Sequence, residues 1–424
     1  MSTLIFLICI IFIVFSLLVD KRIYSPIVLF NFWWGITIFI SGFGFFGIYV
    51  PSVNTYLIML VAIISFNFSF IFILNRKESK KSFVPRKVNN EYYNIKTVFN
   101  CIIGMQLLVI AELIRRSINV LKLLASGMDY ERIRYEYFYS DTIMSGYEHL
   151  IGNYLVTPII YFSIILISLF FFEKQYNKLL MFTTIVCVGL FVFSSGERGI
   201  VLSFGLFMIL AYFIQGRKIK INILKKAMLL ILLAIFVYFL VYITIVRGTL
   251  ADFHNVLCTV TLYFSAPYIF YEQLSSYALQ DNVLLFGGAF FGGILDTFIL
   301  GLRYIGLDIS TMSSYISRHN QMSLAVGNNL SYNAFPTMVY TFLYDFNYVG
   351  VILGPLLFGI IVTISYKKMI MTNRLAYKGI YFMIALMIYE SVMKWVGTSE
   401  YPWIVIAMFL IFDHFTKKRI RFIL

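Results

Sequence analysis

Residues 55–74 read TYLIMLVAIISFNFSFIFIL, and residues 75–87, which follow directly, read NRKESKKSFVPRK. The first stretch has no charged residue, and its length is that of a helix crossing the hydrocarbon core of a bilayer, which takes about 20 residues. The second stretch carries six basic side chains: Arg76, Lys77, Lys80, Lys81, Arg86 and Lys87. An apolar run followed by a basic loop is typical of a membrane helix that ends on the cytoplasmic side.

The composition of the whole chain extends this prediction. Of the 424 residues 60% are hydrophobic and only 13% are charged, whereas a soluble domain carries about 25% charged residues. The net charge of +14 arises mainly from short loops between apolar runs, a pattern that indicates membrane orientation and argues against nucleic acid as a partner. The four cysteines lack the spacing of metal ligands, so the sequence predicts no metal site and no cofactor.

Basic loops recur at every second connection along the chain. This alternation predicts an all-α fold, a polytopic transmembrane bundle with 11 spanning helices, an outer N-terminus and a cytoplasmic C-terminus. Residues 256–274 and 283–305 are apolar but interrupted by glycine, proline and aspartate. They form either an extra hairpin, which would make 13 spans, or helices that lie on the outer surface.

We predict a single integral membrane domain over residues 1–424, because the sequence shows no internal repeat and no Pro-rich linker. Its extracytoplasmic segments are residues 116–147 and 247–335. The second of these is too long for an unstructured connection in a compact protein, so we expect helices within it.

Arginine on the outer side opposes the usual charge bias and needs a local reason. The guanidinium fork matches phosphate oxygens, so these side chains are candidates for binding a lipid-linked pyrophosphate. The alternatives are ion pairs with outer acids such as Glu197 and contacts with lipid headgroups. The outer arginines are Arg115, Arg116, Arg132, Arg134, Arg198, Arg247, Arg303 and Arg318.

Two further outer residues have chemistry suited to proton transfer. Asp345 lies in the aromatic stretch from Asn333 to Gly350, next to Tyr344, and His319 follows Arg318 directly. Either side chain is a candidate general base for a sugar hydroxyl. The alternatives are a helix cap for Asp345 and an ordinary surface position for His319.

Short segments at three places resemble the O-antigen and capsular polysaccharide polymerase family of bacterial membrane proteins. These segments are Ser195-Gly-Glu-Arg-Gly199, Val246-Arg-Gly248, and the stretch 333–350 with Tyr344-Asp345-Phe346. The family usually shows Tyr-Asp-Phe-Gly in the last segment, and this chain departs from it with Asn347 in place of the glycine.

The resemblance implies a polyprenyl-phosphate-dependent glycosyltransferase-like fold and an enzyme of the bacterial cytoplasmic membrane with an outward-facing active site. It would join undecaprenyl-pyrophosphate-linked repeat units, as donor and acceptor, into O-antigen or capsule, without metal or nucleotide. A chain-length regulator and a flippase are implied partners beside the bilayer. By the same resemblance Arg198 and Arg247 would hold the donor pyrophosphate, and Asp345 or His319 would act on the acceptor. The implied substrate-binding set is Arg132, Arg134, Glu197, Arg303, Arg318, Asn333 and Tyr344.

Three alternatives remain open at the level of sequence. A ligase of the O-antigen type shares the many-helix plan and the large outer loop. A flippase for lipid-linked oligosaccharide would need charges through the middle of the membrane, whereas the charges here collect at the outer face. A structural or signalling membrane protein leaves the long aromatic outer segment unexplained. The sequence has no Walker loop, no His-Glu-x-x-His and no Gly-x-Ser-x-Gly, so the energy for any transfer must arrive with the substrate.

Overall fold

A computed structural model describes residues 1–74, 95–139, 146–173, 177–215, 253–320 and 322–418. These residues are mostly helical, as the sequence predicts. In chain order the helices are α1 (Ser2–Asp20), α2 (Pro26–Ser41), α3 (Val53–Leu74), α4 (Ile95–Ala125), α5 (Tyr130–Tyr139), α6 (Gly146–Ile151), α7 (Thr157–Glu173), α8 (Lys178–Ser195), α9 (Gly199–Gln215), α10 (Phe253–Gln280), α11 (Gly292–Tyr304), α12 (Met312–Ser317), α13 (Met338–Thr372), α14 (Leu375–Glu390) and α15 (Tyr401–Lys418).

Several of these helices are suited to a membrane. Within the described ranges five are long and apolar enough to cross one: Ser2–Asp20, Val53–Phe70, Gly146–Phe172, Lys178–Ser195 and Met338–Thr372. Three shorter apolar helices accompany them: Pro26–Ser41, Gly199–Gln215 and Tyr401–His414. A polytopic membrane protein is therefore supported. The number of 11 to 13 spans stays a prediction, and the apolar run at 227–246 lies outside the described residues.

The chain forms two compact units. The first unit combines Met1–Glu91 with Val260–Leu424, and the second unit is Tyr92–Thr259. The prediction of one domain over residues 1–424 stays a prediction. The described parts of each unit are treated separately below.

In the first unit α1 packs on α2, and α3 packs along α13. Side chains between the helices are aromatic: Phe30 stacks on Phe66 with ring centroids 3.7 Å apart, and Trp395 lies 4.8 Å from Phe358. Polar pairs are satisfied within this apolar interior. The amides of Asn31 and Asn67 exchange hydrogen bonds of 2.7 and 3.0 Å between α2 and α3, which is what removal from water requires.

A short antiparallel sheet of β1 (Leu324–Gly327) and β2 (Leu330–Tyr332) lies in the first unit, a feature that the all-α prediction did not include. It also contacts the α2–α3 connection, since the amide of Tyr49 donates to the carbonyl of Val326 at 2.8 Å. Gly327 permits this contact, because a Cβ there would lie 2.6 Å from the carbonyl oxygen of Gly47.

Helix α13 is broken near its start. Phe346 has φ −149° and ψ 31°, and Asn347 has φ 51° and ψ −138°. A side chain at Gly354 would collide with the ring of Phe342, although these residues would be about 18 Å apart along a straight helix. The chain therefore reverses at 346–347, and the short part 338–345 folds back on the long part that follows. Broken helices of this kind are tolerated at membrane depth where protein surrounds them.

In the second unit α4 packs on α8, and α9 packs on α7. Asn177 caps α8 by accepting from the amides of Leu179 and Leu180. The same helix ends with Gly196 in the left-handed conformation at φ 65°, a common helix terminus. This end of α8 lies in the Ser195–Gly199 segment.

Candidate active site

The first unit brings together three ionisable side chains of the segment 247–335, which is predicted to be outer. The Nε2 atom of His319 lies 2.9 Å from Oδ2 of Asp281, and Nη1 of Arg318 lies 3.8 Å from Oδ1 of the same carboxylate. Arg318 is 54% exposed, whereas His319 and Asp281 are 13% and 17% exposed. One carboxylate thus joins a largely enclosed imidazole to a guanidinium that faces outward.

Tyrosines complete the inner side of this group. The hydroxyl of Tyr344 donates to Oδ2 of Asp281 at 3.4 Å, and it lies 3.1 Å from the hydroxyl of Tyr340. Both tyrosines are buried. The ring of Tyr277 stacks on the imidazole of His319 with centroids 5.5 Å apart. We call Asp281, His319, Arg318, Tyr344 and Tyr340 the acid–histidine cluster.

The arrangement suits proton transfer. When the imidazole is neutral and Nε2–H donates to Asp281, Nδ1 carries the lone pair and is the atom that accepts a proton. The carboxylate then fixes the tautomer and stabilises the imidazolium that forms, the role that a carboxylate has beside a catalytic histidine. Arg318 adds a permanent positive charge with a fork for phosphate oxygens.

The fold holds this cluster through backbone contacts. Asp281 follows the last turn of α10, and its amide donates to the carbonyl of Tyr277 at 3.0 Å. Arg318 and His319 follow α12. The first amides of α12, those of Met312 and Ser313, donate to the buried carboxylate of Asp296 at 2.5 and 2.9 Å, an N-terminal cap made by a remote side chain.

Asp345 faces a different partner from its neighbour Tyr344. Its carboxylate is buried and accepts three backbone N–H groups, from Gly287 and Ala289 on Oδ1 and from Phe290 on Oδ2, at 2.7 to 2.9 Å. Asp345 therefore holds the turn 285–291 against the start of α13. These contacts are those of a structural anchor, and the role of Asp345 as a general base stays a prediction.

The other two predicted binding residues of the first unit lie outside the acid–histidine cluster. Arg303 is exposed near the end of α11 and donates from Nε to the carbonyl of Ile309 at 2.6 Å. Asn333 is exposed directly after β2.

The second unit holds the other described arginines. Arg198 and Glu197 lie in the turn between α8 and α9, and the Glu197 amide donates to the hydroxyl of Ser195 at 3.1 Å. Arg132 and Arg134 lie on α5, the first exposed and the second partly buried. Arg247 lies outside the described residues.

A separate arginine network lies where α4, α5 and α6 meet in the second unit. Buried Arg116 donates to Glu112 at 2.8 Å, to the hydroxyl of Tyr137 at 2.9 Å and to the carbonyl of Glu148 at 3.0 Å. Arg115 pairs with the carboxylates of Glu112 and Glu148. Burial raises the pKa of Tyr137, so the Arg116 guanidinium meets a neutral phenol. For these two arginines the ion-pair alternative holds.

Asp281, Tyr340 and Tyr277 were missed by the sequence analysis. The segment 247–335 contains five acids, Asp252, Glu272, Asp281, Asp296 and Asp308, and no local pattern distinguishes Asp281 from the other four. The tyrosines carried no signal, because aromatic residues are abundant throughout the chain.

Comparison with protein-family models, with curated proteins and with solved structures gives no match to this chain. In the part of the chain that the structure describes, no three His, Cys, Asp or Glu side chains are grouped to hold a metal ion.

Proposed function

We propose that this chain is a membrane glycosyltransferase that joins polyprenyl-pyrophosphate-linked oligosaccharide repeat units at the outer face of the bacterial cytoplasmic membrane. The observation that carries the proposal is the pairing of Asp281 with His319 beside the exposed Arg318. It combines a proton acceptor with a phosphate-binding cation in the segment that the charge pattern predicts to be outer. The resemblance to polysaccharide polymerases supports the same reaction.

In the proposed reaction the acceptor hydroxyl oxygen attacks C1 of the donor sugar. The bond between C1 and the pyrophosphate oxygen breaks, and its electron pair leaves with the polyprenyl pyrophosphate. His319 Nδ1 takes the hydroxyl proton, and Asp281 stabilises the imidazolium. General-base catalysis of this kind contributes about 10²–10⁴-fold to a rate.

The leaving group needs positive charge. We propose that Arg318 binds a phosphate of one lipid-linked substrate, which is supported by its exposed guanidinium and by the ion pair of 3.8 Å with Asp281. Arg198 and Arg247 are proposed for the donor pyrophosphate, on the resemblance of their segments. Stabilising charge that develops on a leaving oxygen is a large source of catalysis.

The test is complementation of cells that lack this gene, followed by gels of surface polysaccharide and of lipid-linked intermediates. We expect His319→Ala to lower polymer yield by about 10²–10⁴-fold if proton transfer limits the reaction. Asp281→Asn should lower it in the same direction, since the amide no longer stabilises an imidazolium. His149→Ala, a histidine on α6 in the second unit, is the matched control and should restore full yield.

The intermediates separate the alternative functions. With the proposed polymerase, single lipid-linked repeat units accumulate on the outer face in cells without the gene and in those with His319→Ala. Accumulation on the inner face would instead identify a flippase. Full-length polymer that remains on its lipid carrier would identify a ligase. Normal polymer from both His319→Ala and Asp281→Asn would contradict the proposal.

A further inference from the structure

Helix α11 has one face packed in the first unit and another that is uncovered. Gly292, Gly293, Asp296 and Ile299 are buried. The opposite face presents large apolar side chains, among them Phe298, which is 67% exposed. Every residue from 301 to 310 is exposed, which includes Tyr304 at 93% at the end of α11 and Ile305 at 73% directly after it. We call the apolar side chains of Leu295, Phe298, Leu302, Tyr304, Ile305 and Leu307 the α11 surface.

We infer that the α11 surface lies in the outer leaflet of the membrane, parallel to the bilayer plane. A contiguous apolar patch of this kind is rare on a surface that faces water. The 13 residues of α11 extend about 20 Å, which is less than the hydrocarbon thickness of about 30 Å. An amphipathic helix that is too short to span and is apolar on one face is suited to the headgroup boundary.

The contacts of α11 fix its depth. Its second residue, Gly293, meets the backbone of Ser399 and Glu400 so closely that a Cβ would collide with it. The preceding Phe291 lies 5.9 Å, ring to ring, from Trp403 in the first turn of α15. Helix α15 is one of the shorter apolar helices, and as a spanning helix of the predicted topology it would reach the membrane surface where α11 begins. Tryptophan is enriched at that level of a bilayer.

This position has a consequence for the acid–histidine cluster. Asp296 on the buried face of α11 caps α12, and Arg318 and His319 follow α12 directly. A membrane-bound α11 therefore sets Arg318 near the level of the lipid headgroups. A phosphate on a polyprenyl carrier lies at that same level. This last step rests on the proposed function and narrows it: the phosphate that Arg318 binds is delivered along the membrane, not from solution.

The experiment measures the depth of single fluorescent labels on the full chain in lipid vesicles. The four native cysteines are replaced, and cysteine is introduced as Phe298→Cys or Ile305→Cys for labelling with an environment-sensitive dye. Ser317→Cys, an exposed position at the end of α12, is the matched control. Quenching is compared between nitroxides placed high on the lipid acyl chain and aqueous iodide. Two positions are used so that one misfolded variant does not decide the result.

We expect acyl-chain nitroxides to quench labels at 298 and 305 several-fold more than the label at 317, and iodide to show the reverse order. Iodide quenching at 298 and 305 that equals that at 317 would overturn the inference. Protection from both quenchers that disappears when each vesicle holds one chain would also overturn it, in favour of a second copy of the chain. These readouts require no transfer reaction, so they stand apart from the polymer test of His319→Ala.

Discussion

Two carboxylates of the first unit that lie close in the fold have different partners. Asp281 meets ionisable and phenolic side chains, whereas Asp345 meets three backbone N–H groups. Three backbone N–H groups occupy most of the roughly four acceptor positions of the Asp345 carboxylate. At the scale of single residues, Asp345 therefore positions the turn 285–291, and proton transfer is proposed for the pair of Asp281 and His319.

Substitutions at Asp345 test whether its carboxylate stabilises the fold. In Asp345→Asn one oxygen is kept and one acceptor is lost, so we expect a loss of about 1–3 kcal/mol of stability. Asp345→Ala, which removes both acceptors, should lose more. Each is measured as the temperature at which the detergent-solubilised protein ceases to be monodisperse, with exposed Asp308→Asn as the control. A variant that is as stable as wild type but makes no polymer would instead identify Asp345 as a catalytic residue.

The sequence analysis predicted part of the candidate site and missed another part for a physical reason. Arg318 was selected because an outer arginine opposes the usual charge bias, His319 because it follows Arg318 directly, and Tyr344 because its segment resembles the polymerase family. Asp281 is 38 residues from His319 along the chain, and their pairing depends on how α12 is set by Asp296. No local pattern encodes such a contact, which arises from tertiary packing.

At the scale of elements, the break in α13 lies at Asn347, the position where this chain departs from the motif of the family that it resembles. Asn347 has φ 51° and ψ −138°, a combination of backbone angles that glycine adopts without a Cβ clash. The family usually carries glycine at this position. The conformation found here is thus the one that the family residue favours, although asparagine occupies it.

Replacing Asn347 with glycine should therefore stabilise the protein. We expect Asn347→Gly to raise the free energy of unfolding by about 1 kcal/mol through release of backbone strain, and Asn347→Val to lower it. The thermal assay described above measures both. Asn328→Gly is the control, because this exposed residue lacks a positive φ and should gain nothing. Equal shifts at the two positions would show that Asn347 is unstrained.

The break in α13 was hard to predict, whereas other helix ends were not. Ser195–Gly199 contains glycine beside polar residues, a composition that favours a helix end, and α8 ends there. Around 346–347 the polar residues Asp345 and Asn347 interrupt the apolar run, which indicates a helix boundary but does not predict that the chain reverses direction there. Gly350 and Gly354 permit the reversal, because a Cβ at either position would collide with Phe342. The sequence alone does not show which residue packs against a glycine, so this contact could not be predicted.

At the scale of the molecule, contacts in the first unit join segments that the charge pattern places on the same side. The α2–α3 connection, predicted as outer, bonds through Ser52 to Glu272 at 2.8 Å and through Tyr49 to the sheet. At the opposite ends of these helices, Asp20 bonds to Tyr366, and Tyr381 donates to the carbonyl of Tyr24 at 2.5 Å. The alternation of loops is consistent with both groups of contacts.

Reporter fusions test the orientation directly. An enzyme that is active only outside the cytoplasm should be inactive when fused after residue 87 or after the C-terminus, and active when fused after residue 310. A reporter that fluoresces only in the cytoplasm should give the opposite result at each position. Activity on the same side at residues 87 and 310 would contradict the predicted topology.

The first unit combines Met1–Glu91 with Val260–Leu424. It can therefore form only after the ribosome has translated the second of these parts. Trp34 donates to the hydroxyl of Ser391 at 2.8 Å across 357 residues of sequence. At a translation rate of about 5–20 residues per second, roughly 20–70 s pass between the synthesis of Trp34 and that of Ser391. During that interval α1 to α3 lie in the lipid without α13 and α14. Premature termination after residue 260 would leave these early helices permanently incomplete, so truncated chains should be substrates for membrane proteolysis.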